Sequence, residues 1–191
     1  MFIFCQFPAQ RLRLPAGWRA LGAVGAALAL GACSPAFNWR EVRLENTRLS
    51  LLLPCKPELA QKTVPMAGQS TQLRLVGCDA GGATFAVAVA DLGSATQSAL
   101  VLGQWQSLTL ANMKAPGAAG AAPAAPLKVP GAALQPPAVR VAATGQRADG
   151  TAVKGQAAYF AQGSQVFQAV IYAADIKPEV SDAFFSSLKF D

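Results

Sequence analysis

The sequence predicts an α+β fold in which a mostly antiparallel sheet packs against two helices. Short runs of alternating apolar and polar residues are separated by turn residues, and the connections are too short for parallel crossovers. Two other stretches, near residues 94–113 and 178–188, carry apolar residues at helical spacing. The resulting order is strands, helix, strands, helix, which fits a layered α+β domain rather than a parallel α/β sheet.

The strand predictions depend on period-two alternation between turn signals. Residues 83–91 are the clearest case, because Phe85, Val87 and Val89 line one face and alanines line the other. Pro65 restricts its strand to a sheet edge, since proline cannot donate to a neighbouring strand. The predicted strands, in chain order, are 49–54, 62–66, 71–78, 83–91, 138–144, 151–160 and 165–173.

Both helices are predicted from a start signal and an apolar stripe. Ser94 and Gln97 form a capping-box pattern, and the helix that follows runs to about Met113. Pro178 suits the first turn of the second helix. We interpret the stripe residues as core, including the tryptophan of the first helix. They are Val101, Trp105 and Leu108 in the first helix, and Val180, Phe184 and Leu188 in the second.

Residues 115–137 interrupt these patterns. Eighteen of the 23 residues are Ala, Gly or Pro, so a packed element is not expected there. Only 54 residues follow, which is marginal for a separate domain. We therefore predict a single domain over residues 48–191 that contains a flexible insertion at 115–137.

The N-terminal segment has the charge pattern of a secretory signal. Arg11, Arg13 and Arg19 precede an uninterrupted apolar run of 13 residues, 20–32, and no acidic residue occurs before Glu41. The run is shorter than the roughly 20 residues that a bilayer-spanning helix needs. A cleaved signal over residues 1–32 is therefore the expectation.

The end of this run, Leu30-Gly31-Ala32-Cys33, resembles the lipobox of bacterial lipoproteins. The resemblance implies cleavage before Cys33 and attachment of lipid to its thiol, and two or more acyl chains anchor a protein stably. Ser34 follows the cysteine, which favours the periplasmic face of the outer membrane over the inner membrane. The alternatives are an ordinary cleaved signal peptide, or an uncleaved apolar N-terminus in which Cys33 has no role. Residues 33–47 would form a tether, in which Phe37 and Trp39 either lie at the lipid headgroups or cap the core.

Composition narrows the possible functions. The chain contains no histidine, so the commonest general base, metal ligand and nucleophile activator are all missing. The net charge of +6 includes the three signal arginines, which leaves +3 for the exported chain. These charges are scattered rather than clustered, so nucleic-acid binding is not expected. We expect no cofactor and no metal.

Cys55 and Cys78 are the other two cysteines of the exported chain. If 62–66 and 72–78 form a hairpin, Cys78 lies opposite residues near 60, a few positions from Cys55. A structural disulfide is therefore predicted in an oxidising compartment. The alternative is a redox or metal pair, although the Cys-x-x-Cys spacing typical of such sites is missing.

Other polar residues are interpreted as structural. The pairs Asp79/Asp91 and Asp175/Glu179 stand at turns and caps, and no serine has an activating partner or an elbow motif. Lys154 is left as an unsupported catalytic candidate. The serines considered were Ser94, Ser98 and Ser107.

Three features resemble the PsbP-like fold, which has an antiparallel sheet between helices. They are Pro54-Cys-Lys-Pro57 after the early strand, the strand from Gly82 to Asp91 that leads into a helix, and the closing Phe184-Phe-Ser-Ser-Leu-Lys-Phe190. The chain also resembles uncharacterised proteobacterial lipoproteins with such cores. The prediction is therefore a non-catalytic, lipid-anchored binding or assembly-accessory module for an envelope protein. The alternatives are an enzyme using carboxylate or lysine chemistry in a sheet–helix pocket, or a structural envelope protein.

Overall fold

The computed structural model describes residues 36–115 and 122–191. Within them the chain forms ten strands and two helices. The strands are β1 (Arg40–Arg43), β2 (Leu49–Leu53), β3 (Glu58–Met66), β4 (Gln69–Ala80), β5 (Ala83–Asp91), β6 (Ala125–Pro126), β7 (Val139–Gln146), β8 (Ala152–Gln162), β9 (Gln165–Ala173) and β10 (Lys189–Phe190). The helices are α1 (Ser98–Asn112), which follows one 3-10 turn, and α2 (Pro178–Ser186).

Seven strands form one antiparallel sheet in the order β3-β4-β5-β9-β8-β7-β6. Three more form a small antiparallel sheet in the order β1-β2-β10. The two central strands of the large sheet, β5 and β9, pair directly, with Val87 opposite Ala169. The predicted α+β class with a mostly antiparallel sheet is therefore confirmed. Every strand expected from the sequence is present.

The two faces of the large sheet are covered by different elements. Phe85, Val87 and Val89 of β5 pack with the leucines of β2 and with Phe184 of α2. The opposite face packs against α1 through smaller residues such as Ala90 and Val170. The alternation of phenylalanine and valine with alanine along β5 thus decides which layer packs on which side.

The stretch predicted as a tether, 33–47, belongs to the folded domain from Phe37 onward. The Phe37 and Trp39 rings lie 6.3 and 6.2 Å from the Phe85 ring, both in edge contacts. β1 then pairs with β2. The core alternative for the two aromatic residues is the one seen, because Phe85 leaves an apolar surface that these rings cover.

Part of the Ala/Pro-rich stretch is also packed, contrary to the expectation from its composition. β6 pairs with β7, Val129 is buried, and the Phe190 amide donates to the Pro130 carbonyl over 2.9 Å. The expectation that no element packs here is wrong for residues 122–137. The prolines have no amide proton to satisfy, and other amides of the segment find partners in the domain, such as Leu127 with the Ala138 carbonyl and Ala133 with the Ala161 carbonyl.

The stripe predicted for α1 is correct at its start and wrong at its end. Val101 is buried and Trp105 is half-buried, but the Leu108 side chain is 61% exposed. Thr109 occupies the inward position instead, four residues after Trp105. The cap is simpler than predicted, because Ser94 accepts from the Thr96 amide and Gln97 makes no capping bond.

No helix in residues 36–115 and 122–191 is long and apolar enough to cross a membrane. The predicted signal segment and Cys33 lie outside the described residues.

Candidate functional site

A cavity of about 270 Å³ opens between α1 and the β3–β4 hairpin. It forms because this hairpin extends beyond the strands that α1 covers. Val64 and Met66 of β3 form one wall, and Val101 and Trp105 of α1 form the other. Leu108 stands at the cavity mouth with much of its side chain in solvent.

None of the described residues that line the cavity is charged. The twelve described residues around it are apolar residues, a threonine, a tyrosine and three amides. Gln104 and Asn112 are exposed amides on α1, whereas Gln168 rises from the cavity floor on β9. An apolar wall with a few convergent polar groups is the usual composition of a ligand site. The arrangement therefore favours a neutral guest.

Gln168 is the polar group at the centre of the site. It lies in the middle of β9 and is 9% exposed, opposite Ala88 on β5 and Tyr159 on β8. Its Nε2 donates to Thr109 Oγ1 over 2.7 Å and to Tyr159 Oη over 3.1 Å. Thr109 in turn donates to the Trp105 carbonyl over 2.9 Å. Because that bond uses the only hydroxyl proton of Thr109, the Gln168 atom facing Thr109 is the amide nitrogen.

The orientation of this amide leaves its oxygen free. Gln168 Oε1 accepts no hydrogen bond from any residue in the described ranges. Among the described residues, Ser98 Oγ is the one fully buried side-chain nitrogen or oxygen that lacks a hydrogen-bond partner. Gln168 Oε1 also lacks a partner, so it is not fully buried and keeps some accessible surface. An acceptor without a protein partner, on a side chain that lines the cavity, can accept a hydrogen bond from an N–H or O–H donor.

Tyr172 lines the cavity, and Tyr159 is connected to it through the hydrogen bond with Gln168. Burial raises the pKa of Tyr159, although the hydrogen bond that its hydroxyl accepts from Gln168 opposes the shift. Burial, with a smaller contribution from Tyr159, raises the pKa of Tyr172 to about 12. Both phenols are therefore neutral at physiological pH, which keeps the site free of charge.

The outer face of α1 continues the uncharged surface. No charged residue occurs between Asp91 and Lys114 in the sequence. Leu100 and Leu108 are 60% and 61% exposed, and the smaller Gly103 and Ser107 lie beside them on this face. The solvent-facing side of a surface helix normally carries charged residues. The outer face of α1 has none and is therefore unusual for a helix face that contacts only solvent.

The predicted disulfide is present. Cys55 and Cys78 are bonded, and their Cα atoms are 5.9 Å apart. Cys78 lies in β4, one position beyond the pair formed by Glu58 and Gly77. The bond therefore fastens the chain that enters β3 to the strand with which β3 pairs. It lies away from the cavity, whose lining it does not join.

The acidic candidates lie outside the cavity and are bound to local partners. Asp79 accepts from Thr84 over 2.6 Å, and Asp91 accepts from the Gly93 amide over 2.9 Å, which lowers the pKa of Asp91. Asp79 lies in β4 opposite Thr84, near the start of β5, whereas Asp91 ends β5, so the two are roughly 20 Å apart along the sheet. Glu179 is exposed in the first turn of α2.

Lys154 lies 2.6 Å from Asp175, and both side chains are exposed. The hydrogen bond from Lys154 lowers the pKa of Asp175. Ser94 caps the 3-10 turn, Ser98 is buried, and Ser107 donates to the Gly103 carbonyl. Across the described residues, no group of three His, Cys, Asp or Glu side chains has a metal-binding arrangement.

Sequence reasoning did not single out Gln168, Thr109 or Tyr172. The available signal was a glutamine inside the apolar run from Val166 to Ala173, where a strand buried on both faces has no place for an unpaired amide. The partner of that glutamine is 59 residues earlier, so only the fold reveals the pair.

No protein-family model and no curated protein match this chain. Among solved structures, it is similar to a Pseudomonas aeruginosa protein of unknown function, with a TM-score of 0.34 and 15% identity over 74% of this chain and 85% of that one. A likeness of this size carries no argument about fold or function.

Proposed function

We propose that this protein is a non-catalytic binding module, anchored by Cys33 to the periplasmic face of the outer membrane. In this proposal the α1 cavity and the outer face of α1 hold an uncharged, apolar segment of another envelope protein. The observation that carries the proposal is the free Oε1 of Gln168 at the floor of an uncharged cavity.

The cavity size favours a side chain over a whole small molecule. At about 270 Å³ it lies just below the range of roughly 300–1,000 Å³ that is typical of small-molecule pockets. One large side chain with a donor group fits this volume and can bond to Gln168. The exposed leucines at positions 100 and 108 would then contact the residues that flank it.

The anchor rests on the sequence pattern, and the disulfide is consistent with an exported chain, because structural disulfides persist in oxidising compartments. The PsbP-like resemblance of the layers is likewise part of the proposal. It is supported by helices on opposite faces of an antiparallel sheet.

The anchor is tested by cell fractionation of the wild-type and Cys33→Ser proteins, with metabolic labelling by a radioactive fatty acid. We expect label and outer-membrane recovery for the wild type, and neither for Cys33→Ser. A variant that stays membrane-bound, or an unlabelled wild type, would contradict the anchor.

The binding site is tested with a neutral probe and a charged one of almost the same shape. N-acetyltryptophan amide offers an apolar ring and N–H donors, whereas N-acetyltryptophan adds a carboxylate. Nuclear magnetic resonance titration of the isotope-labelled protein should shift the amide signals of Thr109 and Gln168 with the neutral probe and shift them less with the anion. A Gln168→Leu variant should lose the response. Equal shifts for both probes, or none, would overturn the assigned site.

A further inference from the structure

β3 is a long edge strand with one side open. It pairs only with β4 in the large sheet, and residues 58–63 are all exposed. The two-residue turn Ala67–Gly68 joins it to β4 with positive φ at both positions, so Met66 and Gln69 make the first hydrogen-bonded pair. Alternation along the ladder then directs the backbone groups of Leu59, Gln61 and Thr63 away from β4.

The open side can accept a complete strand. The backbone of Pro65 also faces the open side, but Pro65 is next to the last residue of β3. Its missing amide proton therefore does not interrupt the donors and acceptors of residues 59–63. Edge strands of this length are templates for pairing unless they are covered. Residues 59–63 therefore present an unobstructed row of donors and acceptors.

The charges along this edge favour a second copy of the chain. Glu58 and Lys62 lie four residues apart on the same face, with Ala60 between them. Neither makes an ion pair with any residue in the described ranges. In an antiparallel pair centred on Ala60, each Glu58 stands opposite Lys62 of the second copy. Other registers that keep the open groups paired place like charges together, Glu58 with itself, Lys56 with Lys62 or Lys62 with itself, or leave these charges unpaired.

We propose that two copies of this protein pair along β3, antiparallel and centred on Ala60, to form one continuous sheet. In this register Ala60 and the charged positions form the non-hydrogen-bonded pairs, in which side chains approach most closely. Leu59, which is 75% exposed, stands opposite Gln61 of the other copy. Leu59 and Gln61 both border a cavity of about 250 Å³ whose lining includes Val42, Leu44 and Val76. Pairing would place Leu59 of the second copy beside Gln61 at this cavity. The dimer is independent of the binding function proposed for α1.

Charge exchange tests the register. Two differently tagged full-length copies are expressed together and one tag is used for purification. Wild-type copies should co-purify, whereas Glu58→Lys with itself and Lys62→Glu with itself should each do so about tenfold less, since two attractive pairs become two repulsive ones. A Glu58→Lys copy expressed with a Lys62→Glu copy restores both pairs and should recover the wild-type yield.

Cysteine cross-linking gives a second measurement in the same cells. In the full chain with Cys5→Ser and Cys33→Ser, Ala60→Cys should form a covalent dimer on oxidation. Thr63→Cys is the control, because the two copies of residue 63 stand roughly 20 Å apart in this register. Cross-linking at 63 but not at 60, or co-purification unaffected by charge, would overturn the proposal. A protein that never co-purifies would overturn it as well.

Discussion

Gln168 and Thr109 join the sheet to the helix through a hydrogen bond of 2.7 Å. One residue lies in the middle of β9 and the other near the end of α1, and both are 9% exposed. The bond fixes the distance of α1 from the sheet at the floor of the cavity. It also holds the Gln168 amide with its oxygen free, so one contact serves both packing and the proposed binding.

Replacing Thr109 with valine tests this contact. Valine keeps the shape but removes the acceptor, which leaves a buried amide nitrogen with one partner instead of two. We expect the free energy of unfolding to fall by about 1–2 kcal/mol, measured by urea denaturation. Ser107→Ala, on the exposed face, should change it by less than about 0.5 kcal/mol. Equal effects at the two sites would contradict the assigned role of Thr109.

Alkaline pH should destabilise the protein through its tyrosines. Because the pKa of Tyr172 is raised from 10.0 to about 12 on folding, its contribution is fully present below pH 10 and is lost as pH rises to about 12. The unfolded chain releases the proton first, so unfolding is favoured in this window. Tyr159 shifts in the same direction.

The measurement is urea denaturation at several pH values between about pH 9 and pH 11, alongside the ultraviolet absorbance of tyrosinate. Tyr172→Phe should lose less stability over this range than the wild type does. Tyrosinate absorbance that appears near pH 10 in the folded protein would show that burial does not raise these pKa values.

Loss of the disulfide should weaken the domain without changing the cavity. Cys55 and Cys78 are separated by 23 positions, for which the chain-entropy model gives about 3 kcal/mol. We expect a Cys55→Ser/Cys78→Ser protein to unfold at correspondingly lower urea concentration. Reductant should lower the stability of the wild type and leave that of the double variant unchanged. A wild type that is insensitive to reductant would contradict this expectation.

Packing of the Ala/Pro-rich stretch can be tested at Gly131, with Gly150, outside the stretch, as the control for backbone strain. Gly131 and Gly150 both have positive φ, but a Cβ on Gly131 would lie 2.8 Å from the Cβ of Phe190, whereas one on Gly150 meets open space. Gly150→Ala should cost about 1 kcal/mol from strain alone. Gly131→Ala should cost a further 1–3 kcal/mol or so, because Phe190 must move. Equal losses in thermal or urea unfolding would argue against packing of residues 122–137.

The sequence predicted best where local pattern and tertiary packing agree. The predicted limits of β5 and β9 match the structure, because turn residues bound each strand and both faces are apolar. Edge placement of Pro65 followed from its missing amide proton. The pairing of Cys55 with Cys78 followed from the expected hairpin register and is seen.

Other features have little local signal. β1, with the residues Arg-Glu-Val-Arg, is short and mostly charged, and it is a strand because β2 offers an unpaired edge. β10 has only two residues. Positions 108 and 109 both continue the stripe of Val101 and Trp105, and residue type favours Leu108 as the inward one. Thr109 is the buried residue, however, and its hydroxyl bonds to Gln168 on the sheet. Periodicity cannot distinguish these positions, since both lie within one turn of the helix.

Sequence alone determined the fold class, the main strands and the absence of histidine chemistry, because these depend on periodicity and residue type. The signal segment and the lipid attachment at Cys33 are likewise predicted from the sequence alone. Only the tertiary structure decided that Gln168, Thr109 and Tyr172 meet at one cavity, and that β3 has an open side. Those features arise from contacts between residues far apart in the chain, and local propensity carries no information about which distant segments meet.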